Sequence, residues 1–346
     1  MKVAIITDQH FGFKKGSKVY HDHFLKFYEG TFFPMLEREG ITTVLDLGDT
    51  FDNRKGVDLY SLDWAKRNYF DRLRDMGISV ISVVGNHTAF YKNTNEINTI
   101  DLLLREYDNV HIVGDCEEIT VGGLPILFIP WINPENREYT YKKIKDTKAK
   151  VAMGHLELNG FVATHGHVME HGNDIDVYKK FDRVLSGHFH TRSTNGQIYY
   201  IGNPYEMFWS DVNDKRGCVI FDTEDYTMKN VDNPNTLYKV IKYSDTPRQL
   251  FKFGDYTGKI VKVVVFKKSS DKEYDRFMEA LAKANPVEIK VVEKTEYIFM
   301  DADFAEQTED TMTLLNKYVD DLETNLNKSK IKDILTEAYQ LACEGI

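Results

Sequence analysis

Five short apolar runs in this 346-residue chain end in aspartate, asparagine or histidine. Asp8 and His10 follow Val3–Thr7, and Gly48, Asp49 and Asp52 follow Thr43–Leu47. Gly85, Asn86 and His87 follow Ile78–Val84, Gly154 and His155 follow Val151–Met153, and Gly187, His188 and His190 follow Arg183–Leu185. Imidazole and carboxylate donors together suit manganese, iron or zinc better than a purely oxygen-lined magnesium or calcium site. A pair of cations about 3.5–4 Å apart needs a bridging carboxylate, and Asp49, directly after a glycine at a strand end, fits that role. Asp8 and His10 are two residues apart and would share one side of an extended strand, and His188 and His190 would do the same. Any one of these motifs alone has an ordinary explanation as a cap or turn. All five in one chain, each behind a strand, point to one metal site.

The elements that must position these residues are legible. The apolar runs, with Leu124–Pro130 and Ile198–Ile201, are short and rich in Val and Ile, so they read as buried strands. Between the early ones, His21–Glu39, Leu59–Met76 and Glu96–Tyr107 carry apolar residues at helical spacing. Such alternation predicts an α/β domain, whose ligands gather at the carboxyl ends of strands. Gln197–Val231 reads as strand-rich. Beyond Tyr243, a strand (Ile260–Phe266), a helix (Asp271–Asn285) and a strand (Val287–Val292) make a small β-α-β module. Thr308–Asn325 and Lys330–Cys343 read as amphipathic helices. Leu59–Met76 has two apolar faces, one with Leu62, Ala65, Tyr69, Leu73 and Met76 and another with Trp64 and Phe70. That pattern suggests burial on both sides, one of them against a second copy.

The motifs D-x-H, G-D-x-x-D, G-N-H, G-H and G-H-x-H, in this order, resemble the calcineurin-like metallophosphoesterase superfamily over about residues 1–235. Gly48-Asp49-Thr50-Phe51-Asp52, Tyr200-Ile201-Gly202-Asn203-Pro204 and Lys215-Arg216-Gly217-Cys218-Val219 resemble its SbcD-type double-strand-break repair nucleases, phage members included. Protein phosphatases of the superfamily carry Val-Asp-Arg-Gly after the aspartate motif; here the chain reads Thr50-Phe51-Asp52-Asn53. The resemblance implies a two-sheet core flanked by helices (1–240), a small β-α-β capping domain that contacts DNA (241–300) and C-terminal helices (301–346) that bind an SMC-like coiled-coil ATPase. It implies one cation on Asp8, His10, Asp49 and His190 and another on Asp49, Asn86, His155 and His188. The cations would be Mn2+, with Mg2+ as the alternative, and a metal-activated water would be the nucleophile. His87 would stand beside the scissile phosphate, with Asp52 and Thr88 close by. The implied activity is 3′-to-5′ exonuclease and endonuclease cleavage of DNA. The family pattern G-N-H-D departs here to Thr88, whose hydroxyl is expected to replace part of the hydrogen bonding that orients His87.

Composition bounds these expectations. The net charge is −10, from 44 basic and 54 acidic side chains, which excludes a uniformly basic coat. Residues 1–240 are net −6, residues 241–300 net +3 and residues 301–346 net −7. The positive exception is thus the expected DNA-contacting module. Local basic residues near the motifs, Lys14, Lys15, Lys18, Arg54, Lys55 and Arg192, are further candidates for DNA contact. Thr164-His165-Gly166-His167 and His171 read as a polar loop at the rim of the site. Cys116, Cys218 and Cys343 are few and widely spaced, which fits a reducing compartment. No apolar run approaches the ~20 residues of a membrane span, so a soluble protein is expected, in the host cytoplasm if phage-encoded. A phosphomonoesterase or protein phosphatase, a non-catalytic scaffold of the same fold and an RNA-directed nuclease are the competing readings.

Overall fold

The computed structural model describes residues 1–164, 167–169, 172–244, 251–268 and 270–293, with a few positions between 318 and 335. The chain divides into two compact units, Met1–Val292 and Glu293–Ile346. The second unit falls mostly outside the described residues, so the two C-terminal helices expected there do as well, as do His165, His171 and Cys343.

Two six-stranded sheets form the centre of the first unit. In the first, Lys2–Ile6 lies parallel to Thr43–Asp46, which continues in parallel to Ser79–Val83 and Val110–Val113. Gly217–Asp222 pairs antiparallel on the other side of Lys2–Ile6 and carries Met228–Asp232 at the edge. In the second sheet, Val151–His155 lies between Leu124–Ile129 and Arg183–Gly187, all parallel. Ile198–Tyr200 extends it in parallel, and Glu117–Val121 and Ser193–Thr194 close its edges in antiparallel. Every strand expected from the apolar runs is present within one or two residues. Val110–Val113 and Glu117–Val121 escaped the sequence reading because their residues alternate between exposed and half-buried. The Arg137–Asp146 helix escaped it because only Thr140 and Ile144 of its ten residues are buried.

One face of each sheet packs on the other. Val3, Ile5, Leu45, Leu47, Val83, Phe128, Met153, Leu185 and Phe221 are all inaccessible there. The outer face of the first sheet is covered by two helical segments, Lys18–Glu39 and Leu59–Asp75, each with a wide π-type turn midway. Their inward aromatics close around Phe11, whose ring lies 5.5 Å from both Trp64 and Tyr69. Trp64 also meets His21 at 4.8 Å, and Phe70 meets Tyr69 at 5.0 Å and Tyr107 at 5.6 Å. Most of both apolar faces of Leu59–Met76 is therefore covered within this chain, between a helix and a sheet. Leu62 and Met76 stay half-buried, and Leu59 at the start of the segment is 83% exposed. The helix expected at Glu96–Tyr107 is shorter, Thr99–Leu104, capped by the Asn98 side chain accepting from the Asp101 amide at 2.8 Å. The residues before it form a hairpin instead.

A third sheet contains Tyr238–Lys242, Ile260–Val265 and Glu288–Glu293, with the Asp271–Lys283 helix packed on it through Phe277 and Leu281. The boundary expected between 240 and 241 falls inside its first strand. The Glu206 carboxylate ties that strand to the core by accepting from the Leu237 and Tyr238 amides at 2.6 and 2.9 Å.

Trp64→Ala removes a ring from the centre of this aromatic layer and should destabilise the protein by about 3–5 kcal/mol, the range for buried aromatic truncation. Urea unfolding should give that loss independently of protein concentration. A midpoint of the unaltered protein that rises with concentration would mean that the helix also packs on another copy.

Candidate metal centre

The five motif loops meet where the carboxyl ends of the parallel strands of both sheets come together. They do not meet in the way that strand alternation predicts. The strands stop at Ile6 and Gly187, and Asp8, His10, Asp49 and His188 all adopt positive φ, at 52°, 48°, 52° and 84°. Left-handed turns, not extended backbone, bring Asp8 and His10 to one side, and the same holds for His188. Four of the nine described non-glycine residues in this sparsely populated region lie together here, which makes the place a candidate functional site.

Close approach of the loops explains the glycines. A Cβ at Gly85 would strike the Asp49 carboxylate, and one at Gly187 would strike the Thr7 hydroxyl and come within 2.8 Å of the Leu47 carbonyl. Glycine at position 85 lets two neighbouring loops of the first sheet meet, and glycine at position 187 lets the second sheet bring its loop against the first.

Four acceptors crowd one point. His155 Nε2 lies 2.9 Å from Asn86 Oδ1, 3.2 Å from Asp49 Oδ2 and 3.3 Å from His188 Nδ1, and His188 Nδ1 lies 3.0 Å from Asn86 Oδ1. His155 Nδ1 sits 2.9 Å from the Leu47 carbonyl, which can only accept, so that nitrogen carries the proton. In a neutral His155 the lone pair of Nε2 then points into a group of other acceptors. Such an arrangement is repulsive unless a proton or a cation sits among them, and the donor set fits a divalent transition metal. Beside it, Asp8, His10 and His190 form a second cluster, with His10 Nε2 3.1 Å from His190 Nε2 and His190 Nε2 3.9 Å from Asp8 Oδ1. The mutually close donors group Asp49 with His155 and His188; its other oxygen accepts from the His87 amide at 2.8 Å.

The electrostatics follow from burial and these neighbours. Burial, aided by His155, pushes His188 down to about 3. Burial likewise holds His190 well below the usual histidine range, with His10 and the Arg216 guanidinium adding to it. Both rings are therefore neutral at pH 7 with lone pairs available. His155 goes the other way: burial disfavours its charged form, but the Asp49 and Asp8 carboxylates raise it to about 9. Asp49 is held well below the ordinary carboxylate value by His155 and His87, against the effect of burial.

His87 is half-buried, its ring 4.9 Å from that of His10. Its Nδ1 lies 2.7 Å from the Asp52 carbonyl, which fixes the proton on that nitrogen. The Asp52 side chain lies 3.2 Å from His10 Nδ1. Thr88 does not take over the orienting role expected of it. Its hydroxyl is fully buried, donates to the Gly85 carbonyl at 3.0 Å and accepts from the Gly85 amide at 2.9 Å, so it closes the Gly85 turn. The orientation of His87 comes from the Asp52 backbone.

Behind the site lies a polar network that the motifs do not announce. Gln9 donates to Asp46 Oδ2 at 3.0 Å, accepts from Tyr28 at 2.6 Å through its side chain, and accepts from Tyr205 at 2.5 Å through its carbonyl. Asp46, pushed up to about 7 by burial, also accepts from Thr50 at 2.7 Å. On the other side, buried Arg216 donates to the His190 carbonyl and to Asn203 Oδ1, and pairs with Asp211 at 2.9 Å and Asp214 at 3.0 Å. The only sequence signals were a glutamine between two candidate ligands and an arginine before a strand glycine.

The basic candidates divide. Lys14, Lys15, Lys18 and Lys55 are exposed, and Lys18 lies 3.6 Å from Asp22. Arg54 lies over the Trp131 ring at 5.9 Å. Arg192 is engaged within the protein, donating to Asp232 at 2.6 Å and to the Ile201 carbonyl at 3.2 Å, with 16% of its side chain exposed. Cys116 and Cys218 are buried thiols, both pushed up to about 12 by burial. Among the described residues no helix is long and apolar enough to cross a membrane.

Known proteins carry the same signature. Residues 1–192 match the model of the calcineurin-like phosphoesterases. The chain belongs to the calcineurin-like phosphoesterase family. It is 32% identical over 311 residues to exonuclease subunit 1 of Enterobacteria phage T4, a match covering 89% of each chain. Among solved structures, it is similar to an archaeal phosphodiesterase (14% identity, TM-score 0.35, 67% of this chain and all of that one). It is also similar to a dimetal phosphatase from Danio rerio (10% identity, TM-score 0.38, 67% and 96%). Divalent metal binding is what this family's fold implies, and the clusters around Asp8 and Asp49 are the candidate groups for it.

A cation binding among Asn86, His155 and His188 must displace the His155 proton. Titration of the metal-free protein with Mn2+ at pH 7 should therefore release protons, seen as a calorimetric enthalpy that depends on the ionisation enthalpy of the buffer. Affinity should rise towards pH 9, by up to about tenfold per pH unit for one proton released. A buffer-independent enthalpy would remove His155 from the ligand set.

Proposed function

We propose that this chain is a metal-dependent DNA nuclease, hydrolysing phosphodiester bonds as a 3′-to-5′ exonuclease and an endonuclease. The observation that carries the reading is the crowding of Asp49, Asn86, His155 and His188 acceptors beside the Asp8, His10 and His190 cluster, with His87 adjoining both. The likeness to the phage T4 exonuclease subunit over most of the chain supports a nuclease activity. Asp8, His10, Asp49 and His190 would hold one cation, and Asp49, Asn86, His155 and His188 the other, with manganese the best match to the donors. Two bound cations would lower the pKa of an attacking water and offset charge on the phosphate oxygens.

The chain's own residues do the rest. His87, turned by the Asp52 carbonyl on Nδ1, offers Nε2 to the phosphate; with both ring nitrogens protonated, Nε2–H stabilises charge there or gives its proton to the leaving oxygen. Asp52 fixes the ring of His10. Gln9, Tyr28 and Tyr205 hold the strained turn that carries Asp8 and His10, and Arg216 does so for His190 through its carbonyl. Lys14, Lys15, Lys18, Arg54 and Lys55, with the positively charged module at 241–300, supply phosphate contacts. The acidic segment from 301 serves an SMC-like ATPase partner in recombination and double-strand-break repair.

His87→Ser should leave Mn2+ binding near normal and cut DNA hydrolysis by about 10²- to 10⁴-fold, the range for a positioned acid–base group. Cleavage at the unaltered rate would take His87 out of the reaction. Neutralising Lys14, Lys15 and Lys18 together should lower the salt slope of duplex binding by up to about 2.7. An unchanged slope would exclude these three.

A further inference from the structure

Residues Thr88–Thr99, directly after His87, form a hairpin. The Thr99 amide bonds the Thr88 carbonyl and the Phe90 amide the Ile97 carbonyl, both at 2.9 Å, and Ala89 bridges Asn98. Buried asparagines fix it to the body of the protein. Asn95 donates to the Gly114 and Trp131 carbonyls at 3.2 and 3.1 Å and accepts from Asn133 at 3.0 Å, and Asn98 donates to the Asn95 carbonyl at 3.0 Å. This rigid loop nevertheless displays Phe90, Tyr91 and Ile97 to solvent, 38%, 50% and 42% exposed. The two aromatic rings meet edge to face at 4.8 Å. A hairpin held this firmly, yet turning its apolar side chains outward, is not explained by packing among the described residues.

Its surroundings point to the occupant. Phe90 is three positions after His87, so their Cα atoms are within about 11 Å. That is the reach of one or two nucleotides, at ~3.4 Å per stacked step and about twice that when stretched. Trp131, whose carbonyl anchors the hairpin, is bonded through its amide to the Val84 carbonyl at 2.8 Å and lies under Arg54. Arg54 follows two residues after Asp52, which orients His87, and its buried Nη1 has no hydrogen-bond partner among the described residues. Exposed aromatic rings close in sequence to His87, with an arginine over the Trp131 whose carbonyl anchors their hairpin, are the combination that single-stranded nucleic acid uses, phosphate on the cation and bases on the rings.

We infer that the Phe90–Tyr91 hairpin is a stacking platform that takes a nucleobase flanking the scissile phosphate, with Arg54 on an adjoining phosphate. The inference rests on the nuclease reading and deepens it: the substrate strand enters the site with a base drawn out of its stack. Cleavage then depends on a base next to the cut linkage, not only on the phosphodiester.

The test compares a thymidine 12-mer with the same strand made abasic at its two 3′-terminal nucleotides. The full-length protein and the F90A/Y91A double variant are used, read by fluorescence anisotropy in chelator and by cleavage with Mn2+. The unaltered protein should bind and cleave the abasic strand about 5- to 100-fold more weakly, the range for lost base–aromatic stacking. The double variant should treat both strands alike, at the unaltered protein's abasic level, and Tyr91→Phe should restore part of the preference. If the double variant keeps the full preference, the platform is wrong and the surface serves a protein partner or none. If the unaltered protein neither binds nor cleaves either strand, the nuclease reading fails and this inference falls with it.

Discussion

A buried group of hydrogen-bond acceptors is unstable unless a proton or a cation sits among them, and the loops at the strand ends are arranged around such a group. His155, Asn86, His188 and Asp49 present two ring nitrogens and two side-chain oxygens to one another at 2.9–3.3 Å. The Leu47 carbonyl claims the only proton that a neutral His155 has to offer. A proton on His188 Nδ1 or His155 Nε2, or a cation, relieves the repulsion. Without metal the relieving group is a proton, and the Asp49 and Asp8 carboxylates raise His155 to about 9 although burial works against it. With metal it would be a cation, and the neutrality of His188 and His190 leaves their nitrogens ready for one.

Holding the acceptors there requires backbone that does not relax. Asp8, His10, Asp49 and His188 have left-handed turns, each costing on the order of 1–3 kcal/mol. The opposing force comes from groups with no direct part in the chemistry. Gln9 is gripped by Asp46, Tyr28 and Tyr205, and the His190 carbonyl by Arg216, itself paired with Asp211 and Asp214. The aromatic layer around Phe11 makes the Tyr28 side of this support stiff, since Tyr28 packs against Phe11, Trp64 and Tyr69. Strain at the site and density behind it are therefore two parts of one arrangement.

The strands and the candidate residues were legible in the sequence because both signals are local. A Val- and Ile-rich run followed by Gly-Asp or Gly-His needs no knowledge of the rest of the chain. What could not be read this way depends on distant partners. The side on which Asp8 and His10 meet is set by left-handed backbone, which strand alternation cannot anticipate. Thr88 resembled a substitute for the usual aspartate, yet its hydroxyl closes the Gly85 turn, while the Asp52 carbonyl, a backbone atom invisible to side-chain patterns, orients His87. The second apolar face of the Leu59–Met76 helix suggested another copy because sequence periodicity shows that a face is buried, not what buries it. Arg192 and Arg216 look alike as basic residues beyond a motif; only their partners reveal that both are engaged inside the protein.

The central claim is that these loops hold two cations close together, one of them on the buried acceptor group. Loading the metal-free protein with Mn2+ and recording its electron paramagnetic resonance spectrum tests this without any assumption about substrate. The account predicts two ions bound per chain with the signature of a spin-coupled pair, and loss of that coupling in Asp49→Asn. A single isolated Mn2+ signal at saturation, or a coupled pair undisturbed by Asp49→Asn, would contradict it.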